Sequence, residues 1–405
     1  MRSRFISSSF SLITISALAT ASFVKAETSP LSALKDGFGL EVSGYNARER
    51  GMGEAGLSSV NRQGSSLLNP SKTAWNDKTS FAATFESDLD YLQDPATGNR
   101  LTSFLLPNLA MNFQTRMPLN FGIYYRERFH RNFSFTSPDA NNSFGSQTVE
   151  MEGGTYILGG TIAYAPIPAL ALSLGYQQFL GRERTIHSSV FDKDSTNPQT
   201  FNARNLTGDT MSIHTNGGSP SASVTYRQKS FSIAATGSLD VTLDRTKNRT
   251  ITGIQTEEKS TDQVSLPWSG ALGFTYKLAP NQIAVADFAF DAWDDATAPV
   301  LNSAMHLGAG YEFQGLGGPY DRYYRKVAYR GGLGYERLYL EETDQYYLTA
   351  GAGLPLGRRG NLLDVALKYA HREASKSNLW TEDIIKLSVT LTGVGVWGQP
   401  IRKRR

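Results

Sequence analysis

The sequence predicts an all-β fold: a transmembrane antiparallel β-barrel of about fourteen strands. Three observations predict it, namely an export signal, strand segments long enough to cross a membrane, and an unusual composition. The 405 residues include 38 Gly, 19 Tyr and no Cys, and only 19% are charged. Average globular proteins contain roughly 7% Gly and about 25% charged residues. Glycine is therefore enriched in this chain and charge is depleted.

The N-terminal segment has the three parts of a secretory signal peptide. Arg2 and Arg4 supply positive charge, an apolar stretch covers residues 10–19, and Val24-Lys25-Ala26 ends on small residues. This order of charged, apolar and small-residue regions is typical of a cleaved export signal. We expect residues 1–26 to be removed and the mature protein to be exported.

The body of the chain alternates with a period of two, which is the side-chain period of a β-strand. In one segment Leu363, Val365, Leu367 and Tyr369 alternate with Asp364, Ala366, Lys368 and Ala370. Each such segment has one bulky apolar face and one small or polar face over about ten residues. Strands of soluble sheets have about five or six residues, whereas a tilted transmembrane strand needs about 9–11. The segment length therefore favours a membrane barrel.

Fourteen such segments can be counted, and bacterial single-chain barrels have an even number of strands. They lie near 80–90, 102–115, 119–128, 154–164, 169–180, 219–227, 230–241, 265–278, 282–291, 303–313, 326–336, 345–356, 361–372 and 383–393. Short links alternate with longer polar stretches at 129–153, 181–218, 242–264, 292–302 and 373–382. Periplasmic turns are short and extracellular loops are long, so this alternation supports the barrel. The link 314–325 is longer than a periplasmic turn should be.

Composition excludes several functional classes. The 40 basic and 37 acidic residues nearly balance, which argues against a nucleic-acid partner. The absence of cysteine excludes disulfides, thiol catalysis and Cys-based zinc sites. No apolar run reaches the roughly 18 residues that indicate a transmembrane helix.

Catalytic and metal-binding patterns are weak. The five histidines are scattered without the spacing of a zinc motif. Asp287, Asp291, Asp294 and Asp295 cluster beside Trp293 and could hold Ca²⁺, but they lack the spacing of a calcium loop. An acidic outer loop is the favoured interpretation. No Ser and His share a strand face in a motif context, so we expect neither enzyme activity nor a cofactor nor a metal.

Residues 27–79 do not follow the strand pattern. They contain a glycine cluster at Gly51, Gly53 and Gly56, and later the tripeptide Asn69-Pro70-Ser71. The cluster matches G-x-G-x-x-G formally, but a dinucleotide site needs a preceding strand and a following helix. Residues 58–64 form a poor helix and no parallel sheet follows, so a dinucleotide site is rejected. An ordinary turn at Asn-Pro is an equally good physical interpretation of the tripeptide.

These residues carry a family resemblance. The segments 37–40, 43–47, 51–56 and Asn69-Pro70-Ser71 resemble the N-terminus of the FadL/TodX family of outer-membrane hydrophobic-compound transporters, although Ser71 stands where that family typically has Ala. The segments 353–369 and 385–397 resemble the closing strands of that family and of the related PorV-type barrels. Together the two ends cover about a quarter of the chain.

The resemblance implies a lumen plug, or hatch, over residues 27–79, a barrel over 80–397 and a basic periplasmic tail over 398–405. Gly51, Gly53, Gly56, Asn69, Pro70 and Ser71 would belong to the hatch and its ligand site. Glycine permits tight backbone geometry and proline fixes its own φ, which suits a plug packed in a narrow lumen.

Aromatic and basic residues near the third strand offer a second site. Arg126, Arg128 and Arg131 could bind a carboxylate head group, because arginine pairs such groups bidentately. Solvated loop charges are the alternative interpretation. Most aromatics are expected in the girdles at the two membrane interfaces.

The leading hypothesis is passive uptake of small hydrophobic molecules, such as long-chain fatty acids or aromatic hydrocarbons, through a hatch-gated barrel in the bacterial outer membrane. The alternative is a PorV-like barrel that binds proteins in type IX secretion. Expected partners are outer-membrane lipids, a hydrophobic ligand and the barrel-assembly machinery during biogenesis. We expect a monomer.

Overall fold

A computed structural model gives the fold. It describes residues 38–59, 66–93, 98–115, 117–138, 146–190, 206–251, 256–293, 302–317, 320–340, 343–357, 360–374 and 381–395. The predicted signal peptide, the start of the predicted hatch and the basic tail lie outside these residues. Within the described part of the chain, no helix is both long enough and apolar enough to span a membrane.

Antiparallel strands close into a barrel, because the last strand pairs with the first strand of the wall along its whole length. The strands, numbered along the chain, are a short inner strand β1 (Leu40–Glu41), then β2 (Thr79–Gln93), β3 (Gly98–Phe113), β4 (Leu119–Pro138), β5 (Ser146–Ile167), β6 (Leu170–Val190), β7 (Leu206–Arg227), β8 (Phe231–Ser238), β9 (Val241–Ile251), β10 (Thr256–Leu266), β11 (Ser269–Ala279), β12 (Gln282–Asp291), β13 (Ala304–Phe313), β14 (Ala328–Arg337), β15 (Thr343–Leu356), β16 (Asn361–Ala374) and β17 (Thr381–Gly395).

Two wall strands are interrupted. β8 pairs with β11 and β9 pairs with β10, so β8–β9 and β10–β11 are each one strand broken by two residues. Pro267 lies in the second break, and proline cannot donate a ladder hydrogen bond. Counting each broken strand once gives the fourteen strands that the sequence predicts.

Side chains alternate between the lumen and the outer surface. On β15, Tyr347 is 3% exposed, whereas its neighbour Leu348 is 62% exposed. The lumen side also holds many charged residues, and the outer side is mostly apolar. A barrel in lipid needs this arrangement, since its outer face meets hydrocarbon.

The predicted outer loops are wrong in one respect. Much of 129–153, 181–218 and 242–264 is strand, so β4 to β7 have 20 to 22 residues while β12 to β14 have 10. About ten residues cross the hydrocarbon. The remainder projects beyond the membrane on one side of the barrel, where polar residues outnumber apolar ones and the period-two signal is weak.

The wall opens between β3 and β4. Their pairing covers only Asn108–Phe113 and ends at Asn108 opposite Arg126. Above that point β3 stays with β2, and β4 stays with β5. The inner strand β1 takes the free edge of β4, with Leu40 opposite His130 and Glu41 opposite Phe129.

Candidate ligand site in the barrel lumen

The N-terminal segment, described over 38–59 and 66–76, occupies the lumen. Its only α-helix within the described residues is α1 (Ala47–Arg50), one turn long. Asn46 caps it, because its side chain accepts from the Glu49 N–H while Glu49 accepts from the Asn46 N–H. A helix of four residues is marginal by itself. The capping box stabilises its start because it satisfies two N–H groups that have no partner within the helix.

The glycine cluster lies against the wall. Gly53 has φ +72°, and its N–H donates to Thr349 Oγ1 at 2.8 Å. A Cβ at Gly53 would collide with the backbone of Ala309 and Leu333. In turn, Cβ atoms at Gly308, Gly310 and Gly332 would collide with Gly53 or Met52. The alternation predicts a small or polar face for each strand, but it does not show that this face of β13 and β14 is a glycine surface that receives the glycine cluster.

Asn69, Pro70 and Ser71 anchor the segment to β7. The Asn69 amide donates to Leu57 O and to Thr225 Oγ1, both at 2.7 Å. The Ser71 N–H donates to Ser223 Oγ at 3.0 Å, and the Ser71 hydroxyl donates to Asn69 Oδ1 at 2.6 Å. Pro70 begins a 3₁₀-helix, Pro70–Trp75, where its missing N–H costs nothing. Asn69 and Ser71 therefore contact the wall, and of the three only Pro70 lines the cavity described below.

Buried ion pairs join the segment to the opposite wall. Arg48 donates to both Glu312 carboxylate oxygens at 2.9 Å. Arg330 donates to Glu312 and to Asp364, both at 2.6 Å. Arg50 binds Glu54 and Glu86, and Lys368 reaches Glu54 at 2.9 Å. We call these eight residues the polar floor: Arg48, Arg50, Glu54, Glu86, Glu312, Arg330, Asp364 and Lys368. The sequence held no signal for it, because its members are up to about 300 positions apart.

Charge compensation is close to complete in the polar floor. Burial raises the pKa of the Glu54 carboxyl, but Lys368, Arg50 and His306 outweigh burial and hold that pKa below its usual range. Glu54 is therefore ionised. A carboxylate so held costs several kcal/mol to separate from its partners.

A cavity of about 150 Å³ lies on the outer side of the polar floor. Its walls combine apolar and polar groups from the N-terminal segment and from β4, β6 to β8 and β11 to β14. They include Leu57, Leu67, Leu68, Tyr124, Arg126 and Met305. This mixture of apolar surface with a few convergent polar groups is typical of a small-molecule site.

The three predicted head-group arginines have different surroundings. Arg128 binds Glu41 and, at 2.8 Å, Asp291. Arg131 binds Glu183 at 2.9 Å. Arg126 lines the cavity, and in the described part of the chain it has neither a hydrogen bond nor an ion pair. Arg126 is therefore the one of the three whose guanidinium is available to a ligand.

Glu41 of the inner strand β1 is an acidic residue in the cavity wall. Burial raises the pKa of Glu41 to about 7, Arg128 opposes that rise and Asp291 adds to it. The ion pair between Glu41 and Arg128 holds β1 to the wall, next to the opening between β3 and β4.

Aromatic rings close the outer end of the lumen. Phe38 stacks on Phe129 with ring centroids 5.3 Å apart, and Trp293 stacks on Tyr339 at 4.6 Å. Phe38 also meets Trp293 at 5.5 Å. We call these four residues the aromatic roof. Trp293 belonged to a predicted acidic loop, but its side chain is only 1% exposed.

The acidic cluster is divided. Asp287 points into the lumen and accepts the N–H groups of Gly56 and Leu57 at 2.8 and 2.7 Å, so its assignment to an outer loop is wrong. Asp291 binds Arg128, and Asp294 and Asp295 lie outside the described residues. Among the residues that the structure describes, no three His, Asp or Glu side chains gather as metal ligands.

Comparisons with known proteins agree on the fold. A protein-family model described as BamG matches residues 1–402. No curated protein matches the sequence. Among solved structures, a FadL homologue of Pseudomonas aeruginosa is 12% identical with a TM-score of 0.62, covering 87% of this chain and 99% of that one. The toluene transporter TbuX of Ralstonia pickettii is 15% identical, TM-score 0.56, covering 87% and 98%. The toluene transporter TodX of Pseudomonas putida is 13% identical, TM-score 0.53, covering 88% and 98%. The FadL/TodX resemblance is thereby confirmed at the level of the fold.

Proposed function

The chain belongs to the BamG family, and from the lumen of its barrel we propose passive uptake of small hydrophobic molecules across the bacterial outer membrane. The cavity carries the proposal: it joins apolar surface from Leu57, Leu67 and Leu68 to the unpaired guanidinium of Arg126. That combination suits an amphiphile with a carboxylate head, such as a long-chain fatty acid, better than a bare aromatic hydrocarbon. The fold shared with the toluene transporters is compatible with either.

The opening between β3 and β4 supplies the route between the cavity and the membrane. It begins beside Arg126, where the β3–β4 pairing ends, and β1 covers it from inside. The aromatic roof obstructs the outer end of the lumen, and the N-terminal segment fills the other end. A lateral path through the wall therefore avoids both the aromatic roof and the N-terminal segment.

Gating is assigned to β1 and not to the whole hatch. Moving the hatch would separate the buried ion pairs of the polar floor, whose breakage leaves uncompensated charges in a low-dielectric lumen. β1 is held by two residue pairs with β4, by the Glu41–Arg128 ion pair, and by hydrogen bonds of its flanking residues Gly39 and Val42 to Tyr339 and Arg128. These flanking contacts are hydrogen bonds and not buried ion pairs. Displacing β1 therefore breaks fewer buried contacts than moving the whole hatch.

A reversible crosslink tests this gate, and the absence of native cysteine makes the crosslink specific. Leu40→Cys with His130→Cys places a disulfide between directly paired residues of β1 and β4. We expect oxidised cells to take up labelled long-chain fatty acid slowly and to recover on reduction. The control pair Thr210→Cys and Thr250→Cys crosslinks β7 to β9 away from the cavity and should change nothing.

The outcomes separate the gate from the function. Full uptake by the oxidised β1 crosslink would reject gating by β1 while leaving transport intact. Equal uptake of fatty acid and of toluene by cells with and without the protein would reject transport itself.

One observation favours the alternative, a protein-binding platform of the PorV type. The strands β4 to β7 project about ten residues beyond the membrane on one side, and much of the lumen is polar. A photo-reactive residue at Ser212, on the projecting part of β7, tests it. A platform predicts one specific crosslinked protein in cells, whereas a transporter predicts crosslinks to none.

A further inference from the structure

One connection on the short-turn side of the barrel is folded and exposed. Between β13 and β14, residues 320–327 include a 3₁₀-helix, Tyr323–Arg325, and the Arg325 carbonyl accepts from the Gly317 N–H at 2.8 Å. Tyr323 donates to Pro355 O at 3.3 Å, which ties this loop to the end of β15. The ring of Tyr320 is 97% exposed, and those of Tyr323 and Tyr324 are about half exposed.

The same loop is basic. Arg322 and Arg325 are exposed, Lys326 lies beside them, and in the described part of the chain neither arginine pairs with an acid. Tyr329, on the lipid-facing side of β14, donates to Tyr324 O at 3.3 Å. This hydrogen bond holds the loop against the membrane-facing surface of the barrel.

The other described connections at the same end of the barrel are also mostly basic. Among the described residues, the connections at the short-turn end, with the entry to β2, contain five basic and two acidic residues. The basic ones are Lys78, Lys229, Arg322, Arg325 and Lys326; the acidic ones are Asp77 and Asp321.

We propose that residues 320–327 bind anionic phospholipid head groups of the periplasmic leaflet. Short turns face the periplasm, so the basic end of the barrel meets that leaflet. Lys and Arg near a membrane surface attract anionic lipid, and tyrosine favours the interface. The described basic residues lie at three separate places on the rim, before β2, between β7 and β8 and between β13 and β14. This spread matches a leaflet that surrounds the barrel, whereas a protein partner would need them on one side only. The proposal depends on the orientation of the barrel and not on transport.

The test uses labelled protein in nanodiscs. Tyr320→Cys carries an environment-sensitive dye in an otherwise cysteine-free chain, and His214→Cys, on the projecting part of β7, carries it as control. We expect phosphatidylglycerol, added to phosphatidylcholine discs, to shift the dye at position 320 saturably, and salt to reverse that shift. The dye at position 214 should not respond.

Charge variants complete the test. Arg322→Ser with Arg325→Ser and Lys326→Ser should lower the apparent affinity for phosphatidylglycerol about a hundredfold. The matched triple Arg182→Ser, Arg184→Ser and Lys259→Ser, at the other end, should leave it unchanged. The salt dependence needs no variant, so it decides even where the first triple fails to fold. An equal dye shift in pure phosphatidylcholine, or a shift caused by a polyglutamate peptide but not by phosphatidylglycerol, would overturn the proposal.

Discussion

The polar floor and the aromatic roof both fill the lumen, and they do so with opposite chemistry. The floor uses charge-assisted hydrogen bonds, which are directional and leave a buried charge uncompensated when one partner is lost. The roof uses ring contacts, which are favourable both when offset-stacked and when edge-to-face, so less is lost when one ring turns. The cavity lies between a rigid layer and an adaptable one, so we expect a ligand to displace roof side chains and β1 before it displaces the floor.

The largest effect is expected from Glu312→Gln in the polar floor. The change removes the charge that Arg48 and Arg330 share, and we expect the free energy of unfolding to fall by about 3–5 kcal/mol. Guanidinium unfolding of the reconstituted barrel measures it. Glu152→Gln is the matched control, since Glu152 is 61% exposed in its pair with Arg184 and should lose less than about 1 kcal/mol. Equal losses would refute the rigid floor.

Trp293→Ala is expected to have the next largest effect. It removes a ring from the centre of the aromatic roof, at a cost of about 3 kcal/mol, and should expose the cavity to hydrophilic reagents from outside while the polar floor stays closed. The rate at which a bulky hydrophilic maleimide labels Leu68→Cys in the cavity measures the second effect. Tyr339→Phe, which keeps the ring and loses only the hydrogen bond to Gly39 O, is the control and should stay closed. An unchanged labelling rate for Trp293→Ala would mean that the roof does not close the lumen.

The wall was predictable from the sequence and the lumen mostly was not. A strand crossing lipid must alternate, so Leu363 to Tyr369 identify β16 without any tertiary information. The polar floor joins Arg48 to Glu312 across the barrel, and no local pattern marks either residue. Asn69-Pro70-Ser71 lies between these cases: the motif was visible, but its partners Thr225 and Ser223 belong to a distant strand.

Asn69→Ala should cost about 2 kcal/mol. Asn69 is fully buried, and its amide supplies two hydrogen bonds, so truncation leaves Leu57 O and Thr225 Oγ1 without that donor. The free energy of unfolding and the rate of proteolysis of the N-terminal segment measure the loss. The exposed Asn216, which accepts from Gln178, gives the control Asn216→Ala, where no such loss is expected. A neutral Asn69→Ala would reduce the motif to an ordinary turn.

The smallest change in free energy, and the most informative for function, is expected at Arg126. Arg126→Gln keeps a polar side chain of similar length but removes the charge, so affinity for a fluorescent fatty acid should fall about tenfold, or about 1.4 kcal/mol. Arg126→Lys keeps the charge and should recover most of that affinity. Since the guanidinium has no acidic partner within the described residues, removing it should not destabilise the barrel, unlike Glu312→Gln. A neutral apolar probe should bind wild type and both variants alike. If the neutral probe lost as much affinity as the fatty acid, Arg126 would be shaping the cavity and not selecting an anionic head group.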